Sequence, residues 1–135
     1  MIQSDPIYEI IVSSVEQFTR TSREDFSADN RKGENVFPRQ LVMYFLKNHT
    51  KYPLRVIGEI YNRDHTTVLH SDKKINDRLF YDKEVREFVG ETDDFLNIYN
   101  GKRSIKKVAI FLDLLMQYAT PKEQSEWIKR YKEAN

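Results

Sequence analysis

Three adjacent polar residues, Asp64, His65 and Thr66, are the side chains of this sequence best suited to specific chemistry. They include the residue types of a hydrolytic triad. Neighbours at the start of a helix point in different directions, however, and cannot relay a proton. These residues are suited to binding a ligand, because a carboxylate accepts hydrogen bonds, while Thr and His also offer small apolar surfaces. The pattern therefore favours binding over catalysis.

Other catalytic and ligand-binding patterns are missing from the sequence. His49, His65 and His70 form no i, i+4 pair that would hold a metal, and there is no Cys for a thiolate site. The four glycines form no Gly-x-x-x-x-Gly-Lys-Ser/Thr loop for nucleotide phosphates. Scattered carboxylates such as Asp93 and Asp94 are more simply caps or solvated groups. We predict no enzyme activity, no metal, no cofactor and no nucleotide.

The segment 53–75 must position the three polar residues, and its pattern is helix, tight turn, helix. Pro53 suits a first helical position, and Gly58 allows another backbone to approach closely. Asn62 lies in the turn that follows. Asp64 is a good N-cap for the second helix, because its carboxylate can accept from a free N–H of Thr66 or Thr67.

The second helix carries two distinct stripes at helical spacing. Its apolar stripe, which predicts the side packed on a core, consists of Val68, Ser71, Ile75 and Leu79. Its hydrogen-bonding stripe consists of Thr66, His70, Lys73 and Asp77. This is the layout of a helix-turn-helix recognition helix, whose N-terminal residues meet base edges in the major groove.

A family resemblance becomes specific at these residues. The run Arg-Asp-His-Thr-Thr-Val-Leu-His at 63–70, with Ile57-Gly58 before it and Lys73-Lys74-Ile75 after it, resembles the signature of the C-terminal DNA-binding domain of the bacterial replication initiator DnaA. The likeness spans about 7–79. It implies an all-α helix-turn-helix bundle of the Trp-repressor-like type and binding of double-stranded DNA at a site like a DnaA box.

The resemblance also implies a role for each matching residue. The residues expected to meet bases are Asp64, His65 and Thr66. The residues expected to hold or approach phosphates are Arg39, Gln40, Lys47, Leu54, Arg63, Thr67, His70, Lys73 and Lys74. The residues expected at the minor groove are Arg31 and Lys32.

The nearly neutral net charge, together with departures from the family pattern in the loop and in the turn, favours an alternative function. Asp29 and Glu34 flank the basic pair in the loop, the turn at Asn62 is one residue short, and Arg55 replaces a common proline. The alternative is a protein-interaction module that keeps the helix-turn-helix only as a scaffold. The leading prediction remains sequence-specific DNA binding in the regulation of replication initiation or transcription.

Composition bounds these predictions. The 135 residues, 39% of them hydrophobic, suit one small domain with an extension. Charged residues make up 32% but leave a formal net charge of +1, so DNA binding must come from local arrangement. No signal peptide is seen, and no apolar run approaches the roughly 20 residues that span a bilayer. We expect a cytoplasmic, nucleoid-associated protein.

The remaining pattern predicts helices throughout, with a DNA-binding domain over 1–90 and a helical extension over 91–135. In the domain, Asp5-Pro6 starts a helix to about Thr19, and Ser22 caps a short helix near 23–27. An exposed loop is expected over 28–35, a helix opening at Pro38, and a short helix over 83–89 stopped by Gly90.

In the extension, helices are expected over 105–119 and after residue 120. This pair would pack on the core or, alternatively, form a homodimer through 105–131.

Overall fold

The computed structural model of the chain describes residues 2–27 and 33–101 and the single positions Lys122 and Lys129, without the side chain of Glu34. Over these residues the fold is all-α, which confirms the predicted fold class. A short 3-10 turn at Ile2–Ser4 precedes the helices. They are α1 (Pro6–Thr19), α2 (Arg23–Ser27), α3 (Gly33–His49), α4 (Leu54–Glu59), α5 (His65–Tyr81) and α6 (Lys83–Tyr99).

The chain divides into two compact units, Met1–Leu96 and Asn97–Asn135. The assignment of domains to 1–90 and 91–135 stays a prediction. The helices predicted over 105–119 and after residue 120 lie outside the described residues, apart from the exposed Lys122 and Lys129.

Helix α3 lies at the centre of the first unit, where it contacts α1, α2, α4 and α5. Its residues 41–46 are buried without interruption, because neighbouring helices cover it on several sides. The bulkiest fully buried side chains around it include Phe26, Ile11 and Ile57. Burying each such side chain contributes about 1.5–3 kcal/mol. This core is the support on which α5 rests.

The predicted start signals of α1 and α2 are confirmed. Asp5 Oδ1 accepts from the backbone N–H of Ile7 over 3.1 Å, with Pro6 as the first helical residue. At α2, the backbone N–H of Asp25 donates to Ser22 Oγ over 3.3 Å. The Asp5 side chain thus satisfies an N–H that the first turn of a helix leaves without a partner, while the N–H of Asp25 also donates to the carbonyl of Ser22 over 3.0 Å.

The start of α3 differs from the prediction. The helix begins at Gly33, five residues before Pro38, so a loop through Asn35 and a helix opening at Pro38 were both wrong. The segment before the proline is packed on the fold: Asn35 is buried, and the guanidinium of Arg78 lies 3.9 Å from the ring centroid of Phe37. Pro38 lies in the second turn of the helix, where its missing N–H removes one intrahelical hydrogen bond.

Helix α6 also differs, since it continues through Gly90 to Tyr99 rather than stopping there. Its buried face repeats at helical spacing through Val85, Val89, Thr92 and Leu96. A glycine inside a helix costs about 1 kcal/mol relative to alanine. Burial along this face outweighs that cost.

Candidate nucleic-acid interface

The turn between α4 and α5 depends on a close approach at Gly58. The carbonyl of Gly58 accepts from the backbone N–H of Arg63 over 2.9 Å. A Cβ added to Gly58 would lie 2.6 Å from the carbonyl oxygen of Arg63 and 2.8 Å from that of Asp64. The expected close backbone approach at this glycine is confirmed. It fixes where α5 begins relative to α4.

The same turn uses the left-handed region at Asn62, whose φ is 56°. Asparagine tolerates this conformation better than most residues with a side chain. On the other side of the turn, α4 begins at Leu54. Pro53, predicted as its first residue, is instead its cap residue, with φ −60° and ψ 148°.

Asp64 caps α5 as predicted. Its Oδ1 accepts from the backbone N–H of Thr67 over 3.0 Å and from Thr67 Oγ1 over 3.2 Å. The bond from the Thr67 N–H is the main reason that the pKa of Asp64 lies below its ordinary value. The carboxylate is exposed and stays ionised at neutral pH, so it can accept from a ligand as well as cap the helix.

The two predicted stripes of α5 are found on opposite faces. Val68, Ser71 and Ile75 are buried, at 0%, 1% and 1% exposure. The hydrogen-bonding stripe is exposed at each of its four positions, Thr66, His70, Lys73 and Asp77. His65 is exposed beside Asp64 and Thr66. The three predicted base-reading residues therefore lie together at the exposed N-terminal end of α5.

Several phosphate candidates lie on the turn and along α5. His70 and Lys74 are exposed. Thr67 is half-buried and bonded to Asp64, as given above, and Lys73 Nζ lies 3.1 Å from Asp77 Oδ2. Arg63 folds back on the turn, where its Nη1 donates to the carbonyl of Tyr61 over 3.1 Å.

The candidates on α3 and α4 are less uniform. Gln40 and Leu54 are half-buried. Leu54 opens α4, so its backbone N–H belongs to a first turn whose donors have no partner within the helix. Lys47 Nζ lies 3.4 Å from Asp72 Oδ2. Arg31 and Lys32, the minor-groove candidates, lie outside the described residues.

Arg39 lies in the interior. It is 4% exposed, and its Nη1 donates to the carbonyl of Phe26 over 3.2 Å. The guanidinium thus links α3 to the end of α2. The contact of Arg39 with a phosphate stays a prediction, whereas its hydrogen bond to the carbonyl of Phe26 is observed.

Two acidic residues of α5 pair with predicted phosphate-binding lysines, and one of them, Asp72, was missed as part of this surface. Asp72 accepts from Asn48 Nδ2 over 2.8 Å in addition to its ion pair with Lys47. Asp77 pairs with Lys73, as given above. The i, i+4 spacing of Lys73 and Asp77 is visible in the sequence. The contact of Asp72 with residues more than twenty positions earlier is not.

A comparison with known families decides what this helix pair is. The model of the bacterial dnaA protein helix-turn-helix matches residues 8–75, which include α4, the turn and α5 as far as Ile75. The chain belongs to this family. Helix-turn-helix domains of the DnaA family are DNA-binding, non-catalytic modules, so membership of the family implies that this chain binds DNA.

Curated relatives agree with the family match. The chain is 35% identical over 97 residues to the chromosomal replication initiator protein DnaA of Rippkaea orientalis, covering 71% of this chain and 21% of that protein. It is 38% identical over 88 residues to the protein of the same name from Thermotoga petrophila, covering 64% and 20%. The chain thus spans about a fifth of each relative. No solved structure matches it.

Two features are absent from the described part of the chain. Within 2–27 and 33–101, no helix is both long enough and apolar enough to cross a membrane. Over the same ranges, no group of three or more His, Asp or Glu side chains is arranged to hold a metal ion.

Proposed function

We propose that this DnaA-family chain binds double-stranded DNA sequence-specifically, at a site resembling a DnaA box, by inserting the N-terminal end of α5 into the major groove. The observation that carries the proposal is the joint exposure of Asp64, His65 and Thr66 on a helix whose opposite face is buried. Because its opposite face is packed on the core, this helix can present its first turn to DNA without a rearrangement of the core.

Base recognition would divide among the three residues by chemistry. The ionised Asp64 accepts from the amino group of a cytosine. Thr66 can bond to a base edge or place its methyl group against a thymine, and the ring carbons of His65 can do the latter. Each good base contact contributes about 1–3 kcal/mol of discrimination.

Phosphate contacts would fix the register of α5. His70 and Lys74 are exposed on the helix, and the first turn of α4 offers backbone N–H groups at Leu54. To bind a phosphate, Lys47 would have to leave its ion pair with Asp72, and Lys73 its ion pair with Asp77. Partly exposed ion pairs are worth about 0–1 kcal/mol, so this exchange costs little. Arg31 and Lys32 would contribute at the minor groove.

The similarity to chromosomal replication initiator proteins supports a biological role in the control of replication. We propose that this chain controls replication initiation or transcription by occupying DnaA-box-like sites. The regulatory role rests on site-specific binding, which makes binding the first property to test.

A fluorescence-anisotropy titration tests the function. Two labelled duplexes, one with a DnaA box and one with the same bases scrambled, are titrated with the full chain at two salt concentrations. We expect tighter binding to the box and a loss of affinity as salt rises. Equal binding to both duplexes would contradict sequence-specific recognition, and no retention on either would contradict DNA binding.

A second candidate function is a protein-interaction module built on the helix-turn-helix scaffold. Its specific support is the aromatic pair at the end of α5, where Phe80 and Tyr81 are 86% and 77% exposed. The acidic partners of Lys47 and Lys73 favour it as well, because they lower the attraction of this surface for phosphates. This function predicts no salt-dependent retention on duplex DNA.

We also propose that two copies associate through 105–131, which would present two recognition helices to a two-part site. Light scattering of the full chain at tens of micromolar, roughly the range in which weak dimers form, tests this. A dimer mass is expected. A monomer mass would contradict it and leave the DNA-binding proposal unchanged.

A further inference from the structure

One exposed apolar residue lies beside the predicted base-reading residues of α5. Leu69 is 46% exposed, although its neighbour Val68 is fully buried. It follows His65 by four residues and Thr66 by three. Residues at these spacings are neighbours on a helix surface, with Cβ atoms about 5–6 Å apart. Leu69 therefore extends the surface of the predicted base-reading residues by one turn.

The chemistry of the major groove limits what Leu69 can recognise. A leucine side chain neither donates nor accepts hydrogen bonds, so it gains only from an apolar group. Among the base edges of the major groove, the apolar group is the 5-methyl of thymine. Leu69 lies about 4.5 Å farther along the helix axis than Thr66, since a helix rises about 1.5 Å per residue. That distance corresponds to one or two base-pair steps of about 3.4 Å.

We propose that Leu69 is a specificity-determining residue that packs against the 5-methyl group of a thymine adjacent to the bases met by His65 and Thr66. The inference rests on the proposed function and deepens it. Cytosine lacks this methyl group, and purines present none. A buried contact here selects thymine at one position without any hydrogen bond.

Phe80 provides a matched comparison on the same helix. It is 86% exposed and lies eleven residues after Leu69, which is about 16 Å along the axis. Both are large apolar residues on α5, so both carry the general effects of an exposed apolar group. Phe80 lies at the C-terminal end of the helix, far from the first turn.

The experiment uses the full chain and a duplex carrying a DnaA box. Each thymine is replaced in turn by deoxyuridine, which differs from it only in lacking the methyl group. Affinities are measured for the unaltered chain, Leu69→Ala and Phe80→Ala. Alanine is the best helix former, and both positions are exposed, so α5 is retained in each variant. A thermal melt followed by circular dichroism checks this.

We expect the affinity of the unaltered chain to fall about fourfold when deoxyuridine replaces thymine at one particular position, because the contact with one buried methyl group is lost. Compared with the unaltered chain, Leu69→Ala should bind the duplex that has no deoxyuridine more weakly by at least about fourfold. It should also lose its sensitivity at that position and keep it elsewhere. Phe80→Ala should retain the pattern of the unaltered chain.

Two different failures are distinguishable. If Leu69→Ala keeps every methyl dependence of the unaltered chain, or Phe80→Ala loses the same one, the role of Leu69 is overturned while sequence-specific binding stands. If the unaltered chain binds box and scrambled duplexes equally, the proposed function is overturned and this inference with it.

Discussion

The backbone N–H of Arg63 donates to the carbonyl of Gly58 over 2.9 Å, and the carbonyl oxygen of Arg63 leaves no room for a side chain on that glycine. This contact sets the start of α5. It also determines the position of Asp64, whose carbonyl oxygen lies nearly as close to Gly58. The position of the exposed N-terminal end of α5 therefore depends on one buried residue of α4.

Gly58→Ala should destabilise the fold and displace the base-reading residues. The added Cβ would meet backbone atoms at 2.6 and 2.8 Å, which cannot move as a flexible side chain would. Overpacking of this kind costs about 1–3 kcal/mol. Urea unfolding measures the loss, and binding of the box duplex should fall under conditions in which the variant is folded.

Gly90→Ala is the matched control for that substitution. Gly90 is exposed inside α6, and a Cβ there meets nothing within 4 Å. Alanine should stabilise the helix by up to about 1 kcal/mol with no change in DNA binding. A stabilising Gly58→Ala, or a destabilising Gly90→Ala, would contradict this account of the two glycines.

Tyr61→Phe should leave stability unchanged or raise it by about 1 kcal/mol. The hydroxyl of Tyr61 is buried and has no hydrogen-bond partner within the described part of the chain, and burial raises its pKa. Removing it removes an uncompensated polar group and keeps the ring against Phe26. Thermal unfolding of both proteins measures the difference.

Tyr52→Phe provides the contrast. The hydroxyl of Tyr52 donates to Asp5 Oδ2 over 2.7 Å, which links the start of α1 to the residues before α4. Losing this bond should cost about 1 kcal/mol. If Tyr61→Phe destabilises the chain as much as Tyr52→Phe does, the Tyr61 hydroxyl has a partner that this account lacks.

Acid should destabilise the start of α5 through Asp64. Its folded-state pKa is lowered chiefly by the N–H of Thr67. The resulting stabilisation is present above the unfolded-state pKa and is lost as the pH falls through the folded-state value. Asn is as good an N-cap as Asp but does not titrate. Asp64→Asn should therefore lose less stability between about pH 6 and about pH 3.

Asp82 offers an independent check on the sign of this effect. Its Oδ1 accepts from the N–H of Val85 over 3.2 Å, and this bond is the main cause of its lowered pKa. Asp82→Asn should reduce the acid sensitivity of unfolding in the same direction, and the double variant should reduce it further. Identical pH profiles for all four proteins would contradict the capping account.

Asp72→Asn should strengthen DNA binding. The carboxylate of Asp72 lies 3.4 Å from Lys47 Nζ, and both side chains are partly exposed. Removing the negative charge frees the lysine for a phosphate and reduces repulsion. An ion pair of this kind is worth up to about 1 kcal/mol, so affinity should rise by up to about fivefold. Glu87→Gln, on α6, changes the same charge and serves as the control. Equal gains in both variants would indicate a general charge effect.

Local signals made much of this fold predictable from the sequence. The caps at Asp5 and Asp64, the close approach at Gly58 and the two stripes of α5 each depend on residues within a few positions. Such features follow from helix geometry and from hydrogen bonds that the first turn of a helix must find. The base-reading candidates were predicted together because they share one helix start.

The features that were not predicted depend on contacts distant in sequence. Pro38 lies inside α3 because Phe37 packs under Arg78, forty-one residues later. Gly90 lies inside α6 because the buried face continues to Leu96. Arg39 is interior because the carbonyl of Phe26 faces it. Propensity favours a break at Pro or Gly, and tertiary burial overrides it at both positions.

The proposed function requires the exposed first turn of α5 to read bases and the lysines farther along the helix to hold phosphates. Its most direct test measures the affinity ratio between box and scrambled duplexes for His65→Ala, Thr66→Ala and Lys74→Ala. Each of the first two substitutions should reduce the difference in binding free energy between the two duplexes by about 1–3 kcal/mol. Lys74→Ala should weaken binding to both duplexes alike. It should also reduce the slope of the logarithm of affinity against the logarithm of salt concentration by about one. Unchanged ratios in both His65→Ala and Thr66→Ala would contradict the proposed function.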